Sequence, residues 1–168
     1  MKKNLKTILL VSFLLIIFSA CSSVSNVNKF SDALINSSIG ESKISYGGDS
    51  WYNFVKQDSD IQNYYIEYLK EIGKCLSEIE LKKTNEDEFD GVDTILIVLN
   101  KDNKNYEFNL KYVYPDDSCL KVSIDNNAEY YLLDKEGSEK LSKIILESDT
   151  RPFNHISLAE YLIKEKDW

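Results

Sequence analysis

Four strand-like stretches lie between residues 92 and 133, with only short polar connections between them. Residues 92–99 read VDTILIVL, 105–114 NYEFNLKYVY, 119–124 CLKVSI and 129–133 EYYLL. Successive side chains of a strand point to opposite faces, so alternation of apolar and polar residues gives the second and third stretches one apolar face each. Tyr106, Phe108, Leu110, Tyr112 and Tyr114 fall on one side of the second stretch. Leu120, Val122 and Ile124 do so in the third. The connections KDNK, PDDS and DNNA are turn chemistry, too short for a crossover, so consecutive strands run antiparallel. The most apolar stretch, 92–99, is expected in the sheet interior.

A helical period precedes this block. Ile61, Tyr64, Tyr65, Tyr68, Leu69, Ile72, Cys75, Leu76 and Ile79 recur at steps of three and four, which predicts a helix over about 60–79. Ser59 with Gln62 fits a capping box. Gly73 costs that helix about 1 kcal/mol relative to Ala and suggests close approach to a neighbour. Ser138 is the expected cap of a second helix over 139–147, whose Leu141, Ile144 and Ile145 face inward. After Arg151-Pro152, Ser157 and Glu160 repeat the capping pattern before Leu158, Tyr161 and Leu162. One apolar face per strand and one stripe per helix predict an α+β domain. Its expected form is a four-stranded antiparallel meander with helices packed on one face.

The N-terminus carries different information. Lys2, Lys3 and Lys6 precede an apolar run over 8–18, broken by Ser12 and too short to span a bilayer. This is the pattern of an export signal. It ends in Phe18-Ser19-Ala20-Cys21, which resembles the lipobox of bacterial lipoproteins, with Phe18 where Leu is commoner. The resemblance covers residues 1–21. It implies that the Cys21 thiol receives a diacylglyceryl group, that residues 1–20 are removed, and that the protein is held at the extracytoplasmic face of the cell membrane. The order of elements in the domain also resembles that of small uncharacterised lipoproteins of low-GC Gram-positive bacteria, and implies no activity.

The expected organisation is a signal peptide (1–20), a flexible tether (21–43), the α+β domain (44–150) and a C-terminal helical extension (151–168). The tether expectation rests on the Ser/Asn-rich stretch 22–43, in which Phe30, Leu34 and Ile35 allow one short helical turn. Residues 44–57, around Gly47-Gly48, read either as a strand or hairpin or as a loop displaying Tyr46, Trp51 and Tyr52. Those three aromatics are the candidate binding surface, with local packing as the alternative.

The formal charge is −8, and removing the three lysines of residues 1–20 makes it −11. That excess argues against nucleic acid as a partner and favours neutral or cationic ones. Cys75 and Cys119 are a possible disulfide in an exported protein; the bridge would close about 44 residues, worth roughly 4 kcal/mol. Strict alternation opposes it, because Cys119 shares a face with Lys121 rather than with Leu120. The single histidine, His155, has no partner suggested by spacing, and no zinc-ligand pattern is present. Residues 85–91 (NEDEFDG) fail the EF-hand register because Phe89 falls at its third ligand position; a solvated acidic loop or a weak, irregular cation site remain. No phosphate loop or cofactor motif is found.

The leading expectation is a membrane-anchored, non-catalytic binding or accessory module, recognising a protein or another envelope component. Alternatives are an immunity or inhibitor lipoprotein facing a cationic toxin or enzyme, and a small envelope hydrolase using a carboxylate pair.

Overall fold

The alternating stretches form the middle of a larger sheet. The structure, a computed structural model, describes residues 25–47, 50–55, 57–113 and 117–152. Its strands are β1 (Ser42–Tyr46), β2 (Ser50–Tyr52), β3 (Leu81–Thr84), β4 (Val92–Lys101), β5 (Lys104–Val113), β6 (Asp117–Ile124) and β7 (Asn127–Leu133). Its helices are α1 (Asn26–Ile35), α2 (Ser59–Glu78) and α3 (Lys135–Glu147), with a 3₁₀ turn at Glu86–Glu88. The strands form one antiparallel sheet in the order β2-β1-β4-β5-β6-β7-β3.

The expected meander β4-β5-β6-β7 is its centre, but the sheet has seven strands, not four. β1 and β2 form a hairpin that extends the β4 edge. β3 was missed because LKKT offers one apolar residue; it is an edge strand that pairs only with β7. Both edges are short, and β3 carries Lys82 and Lys83, which discourages pairing with another chain. Two-residue turns at Asp102-Asn103 and Asp125-Asn126 have positive φ at both positions (51° and 60°, 49° and 69°), the geometry that matches strand twist.

All three helices cover one face of the sheet. Ile44, Ile95, Ile97, Leu99, Phe108, Leu110, Leu120, Val122 and Leu133 point into this core. They meet Phe30, Leu34, Tyr65, Tyr68, Leu69, Ile72, Leu141 and Ile145 from the helices. Asp58, not Ser59, caps α2, accepting from the amides of Asp60 and Ile61. Asp134, not Ser138, caps α3, which therefore starts four residues earlier than expected. An ionised Asp does this well, since it also meets the positive end of the helix dipole.

The tether expectation is corrected from Ser25 onward. Residues 26–35 are helix α1, and residues 42–46 are β1. Phe30 is fully buried, its ring stacked on Phe108 at 5.2 Å and 2°. The polar residues that suggested a tether are bonded rather than solvated. Asn26 Nδ2 donates to Asn127 O at 2.8 Å, and Ser31 Oγ donates to Gly73 O at 2.6 Å. Gly73 is the close approach: a Cβ there would lie 2.9 Å from Ile35 Cγ1 and 3.0 Å from Ser31 O. Of the C-terminal extension, Arg151 and Pro152 are described; residues 153–168, with His155, lie outside the described residues, as does Cys21.

Candidate functional site

The three candidate aromatics are divided between two faces. Ile44 pairs with Tyr52 and Ser45 with Trp51, so Tyr46 and Tyr52 share the helix-covered side while Trp51 points the other way. The Tyr46 hydroxyl donates to Tyr68 Oη at 2.8 Å, and Tyr68 donates onward to Ile145 O at 2.9 Å. The Arg151 guanidinium lies 5.1 Å above the Tyr46 ring. Burial raises the pKa of Tyr46 and Tyr68, so both are neutral structural groups tying β1 to α2 and α3. The expectation of one aromatic patch is thus corrected. Trp51 alone of the three reaches the outer face, 38 % exposed, with Lys43 Nζ at 4.5 Å from its ring.

Cys75 and Cys119 are both free thiols. Cys75 lines a shallow groove of about 430 Å³ between α2 and α3, among Glu71, Lys74, Glu78 and Lys140. Burial, then Glu78, pushes its thiol up to about 11. Cys119 lies on the opposite side of the sheet, as strand alternation requires, and donates to Asp90 O at 3.0 Å. Burial raises its pKa too. Neither is an activated nucleophile at neutral pH.

The acidic segment 85–91 lies across part of the outer face. Asn85 caps its 3₁₀ turn through the Glu88 amide. Phe89 packs on Tyr130 at 5.6 Å, with Lys111 Nζ 4.7 Å from the Phe89 ring. Among the described residues no group of three or more His, Cys, Asp or Glu is arranged to hold a metal ion. Nor is any described helix long and apolar enough to cross a membrane.

The remaining outer face is the candidate site. Strand register places Trp51, Ser45, Leu96, Asn109, Lys121, Tyr130 and Thr84 in one row across all seven strands. Lys43, Val98 and Glu107 lie in the row on one side; Lys111, Cys119, Leu132 and Lys82 lie on the other. Leu96, Val98, Tyr130 and Leu132 are half-buried here with no described helix above them. Ser45 Oγ and Asn109 Oδ1 have no hydrogen-bond partner among the described residues. Four lysines share these rows with Glu107 and Asp93, and Glu86, Glu88 and Asp90 of the acidic segment border them at Tyr130, Thr84 and Cys119, so this surface carries charge of both signs. Overall charge hid that surface; the signal for it was the mixed character of the outward positions, above all Leu96 and Val98 in β4.

Among the described carboxylates, Glu129, near the start of β7, is held away from its ordinary pKa. Burial alone would raise it. Lys83 Nζ at 2.8 Å, Tyr131 Oη at 2.5 Å and the Asn26 amide at 2.7 Å outweigh that and bring it down to about 2. It is a fixed anion joining β3, β7 and α1 rather than a proton donor.

No family model matches the chain, and no curated protein or solved structure matches it.

Proposed function

We propose that the protein is a lipid-anchored, non-catalytic binding module, attached through Cys21, whose contact surface is the outer face of the sheet. The observation that carries this reading is the one-sided cover. Among the described residues, a seven-stranded sheet buries one face under three helices and leaves Trp51, Leu96, Val98, Tyr130 and Leu132 on the other. Apolar and aromatic side chains flanked by charges of both signs suit a protein partner with an apolar centre and a polar, charged rim.

The test uses immobilised residues 22–168 to capture partners from isolated envelopes. A partner released by salt, lost with Trp51→Ala or Lys121→Glu, and retained with Lys74→Glu on the exposed side of α2 is the expected result. Equal capture by all variants would remove the outer face from the proposal.

A further inference from the structure

We infer that the end of the sheet bearing the Asp102-Asn103 and Asp125-Asn126 turns is held directly against the lipid headgroups, with the strands standing upright on the membrane. This rests on the reading that Cys21 is lipidated, and deepens it. The first described residue is Ser25, the cap of α1. That point is fixed by two bonds: the Asn26 amide to Glu129 Oε2 at 2.7 Å, and Asn26 Nδ2 to Asn127 O at 2.8 Å. Asn127 is the first residue of β7, beside the second turn. The two turns are neighbours, since Asp125 and Asn105 exchange bonds of 2.9 Å in both directions. The other end of α1 returns to the same end of the sheet, where Lys101 Nζ donates to Asn36 O.

Only four residue steps separate Cys21 from Ser25. Whatever their conformation, they reach at most ~14 Å. A lipid-bearing cysteine sits at the edge of the hydrocarbon, and the headgroup layer takes up roughly 5–7 Å of that reach. Ser25 is therefore within about 8 Å of the headgroup surface, less than one helix diameter. A tether running to residue 43 would let the domain tumble freely; a leash of this length cannot.

The chemistry of this end agrees. Lys29, Lys101 and Lys104 stand against Asp32, Glu41, Asp102, Asp125 and Glu129, a small acidic excess, and Asn103, Asn105 and Asn126 present amides. The larger acidic excess lies elsewhere: the 85–91 segment leads into Val92, at the opposite end of β4. Asp134 and Glu136 follow the opposite end of β7. An anionic bilayer repels acidic groups within a Debye length of about 8–10 Å, so the observed polarity favours this end down.

The full-length protein, produced with its lipid and reconstituted in vesicles containing a headgroup-attached quencher, tests the inference. A fluorophore is placed at Lys104→Cys in one sample and at Glu139→Cys on α3 in another. Loss of fluorescence at position 104 but not at 139 is expected. Sixteen Gly/Ser residues inserted after Val24 extend the leash by about 22 Å and should erase the difference. Equal quenching at both positions without the insertion overturns the inference, as does a difference that survives it. Mass analysis of Cys21 separates the two failures: an unlipidated thiol sinks the anchoring reading, while a lipidated thiol with equal quenching sinks only the orientation.

Discussion

Replacing Gly73 by Ala should destabilise the domain, although Ala is the better helix former. In an exposed helix interior the exchange gains about 1 kcal/mol. Here the new Cβ would lie 2.9 Å from Ile35 Cγ1, 3.0 Å from Ser31 O and 3.2 Å from Leu34 Cβ. Ordinary carbon contacts lie near 3.5–4.0 Å, so α1 would have to retreat by several tenths of an ångström. It is not free to do so, because Phe30 is stacked on Phe108 and Ser31 Oγ is bonded to Gly73 O. Overpacking of this kind costs about 1–3 kcal/mol, and weakening the Ser31 bond adds up to ~1 kcal/mol. Set against the propensity gain, the net loss is about 1–2 kcal/mol. Urea unfolding of residues 22–168 reads it as a midpoint lowered by roughly 0.5–1 M with the slope unchanged. Asn63→Ala on the exposed side of α2 is the control and should not lower the midpoint. The sign decides the argument: a midpoint raised by Gly73→Ala would mean that α1 is not packed on α2, and the leash calculation would fall with it.

Phe30→Ala should cost about 3–5 kcal/mol in the same unfolding assay, as for a buried core aromatic; a loss below ~1 kcal/mol would contradict a docked α1. Glu129 should make the domain acid-sensitive. Its folded pKa of about 2 lies below the unfolded value near 4.3, so the ionised group stabilises above that value. The contribution fades as pH falls towards 2. Glu129→Gln should lower stability at pH 7 by about 1–2 kcal/mol, discounting for solvent around Lys83, and flatten the pH dependence between 5 and 2. A slope unchanged by the substitution would show that the anion is not held as described. Cys75 and Cys119 should react with iodoacetamide only after unfolding, and reductant should not move the urea midpoint; a native mass 2 Da low would reveal a bridge instead.

What the sequence made legible was whatever repeats with a period. Phe108 and Leu110, or Leu69 and Ile72, declare a buried face because several residues agree on it. The Asp-Asn dipeptides declare their turns because these residues tolerate positive φ. Features resting on one or two residues were hidden. β3 has only Leu81 to bury, and Asp58 and Asp134 displaced the serines as caps. The division of Tyr46 from Trp51 needed the β1–β2 register, which a one-residue shift would reverse. α1 was hidden for a different reason. Asn26 and Ser31 read as solvated until their partners, Asn127 and Gly73, are known, and those lie 101 and 42 residues away.

The missing tether and the uncovered sheet face bear on each other. If α1 belongs to the domain, the leash is short and β4 stands on the membrane to a height of about 34 Å. The outer face then looks sideways, and its Trp51–Thr84 row lies parallel to the bilayer rather than towards the surrounding medium. A partner meeting that row must reach within a few nanometres of the lipid, and on this proposal it is one attached to or embedded in the same membrane. One approaching from above meets the acidic end first. The two proposals therefore share a consequence that neither has alone: lengthening the leash should weaken capture of a membrane-resident partner in intact vesicles while leaving capture from detergent extract unchanged. Equal loss in both settings would place the binding surface on α1 or at its start, not on the sheet.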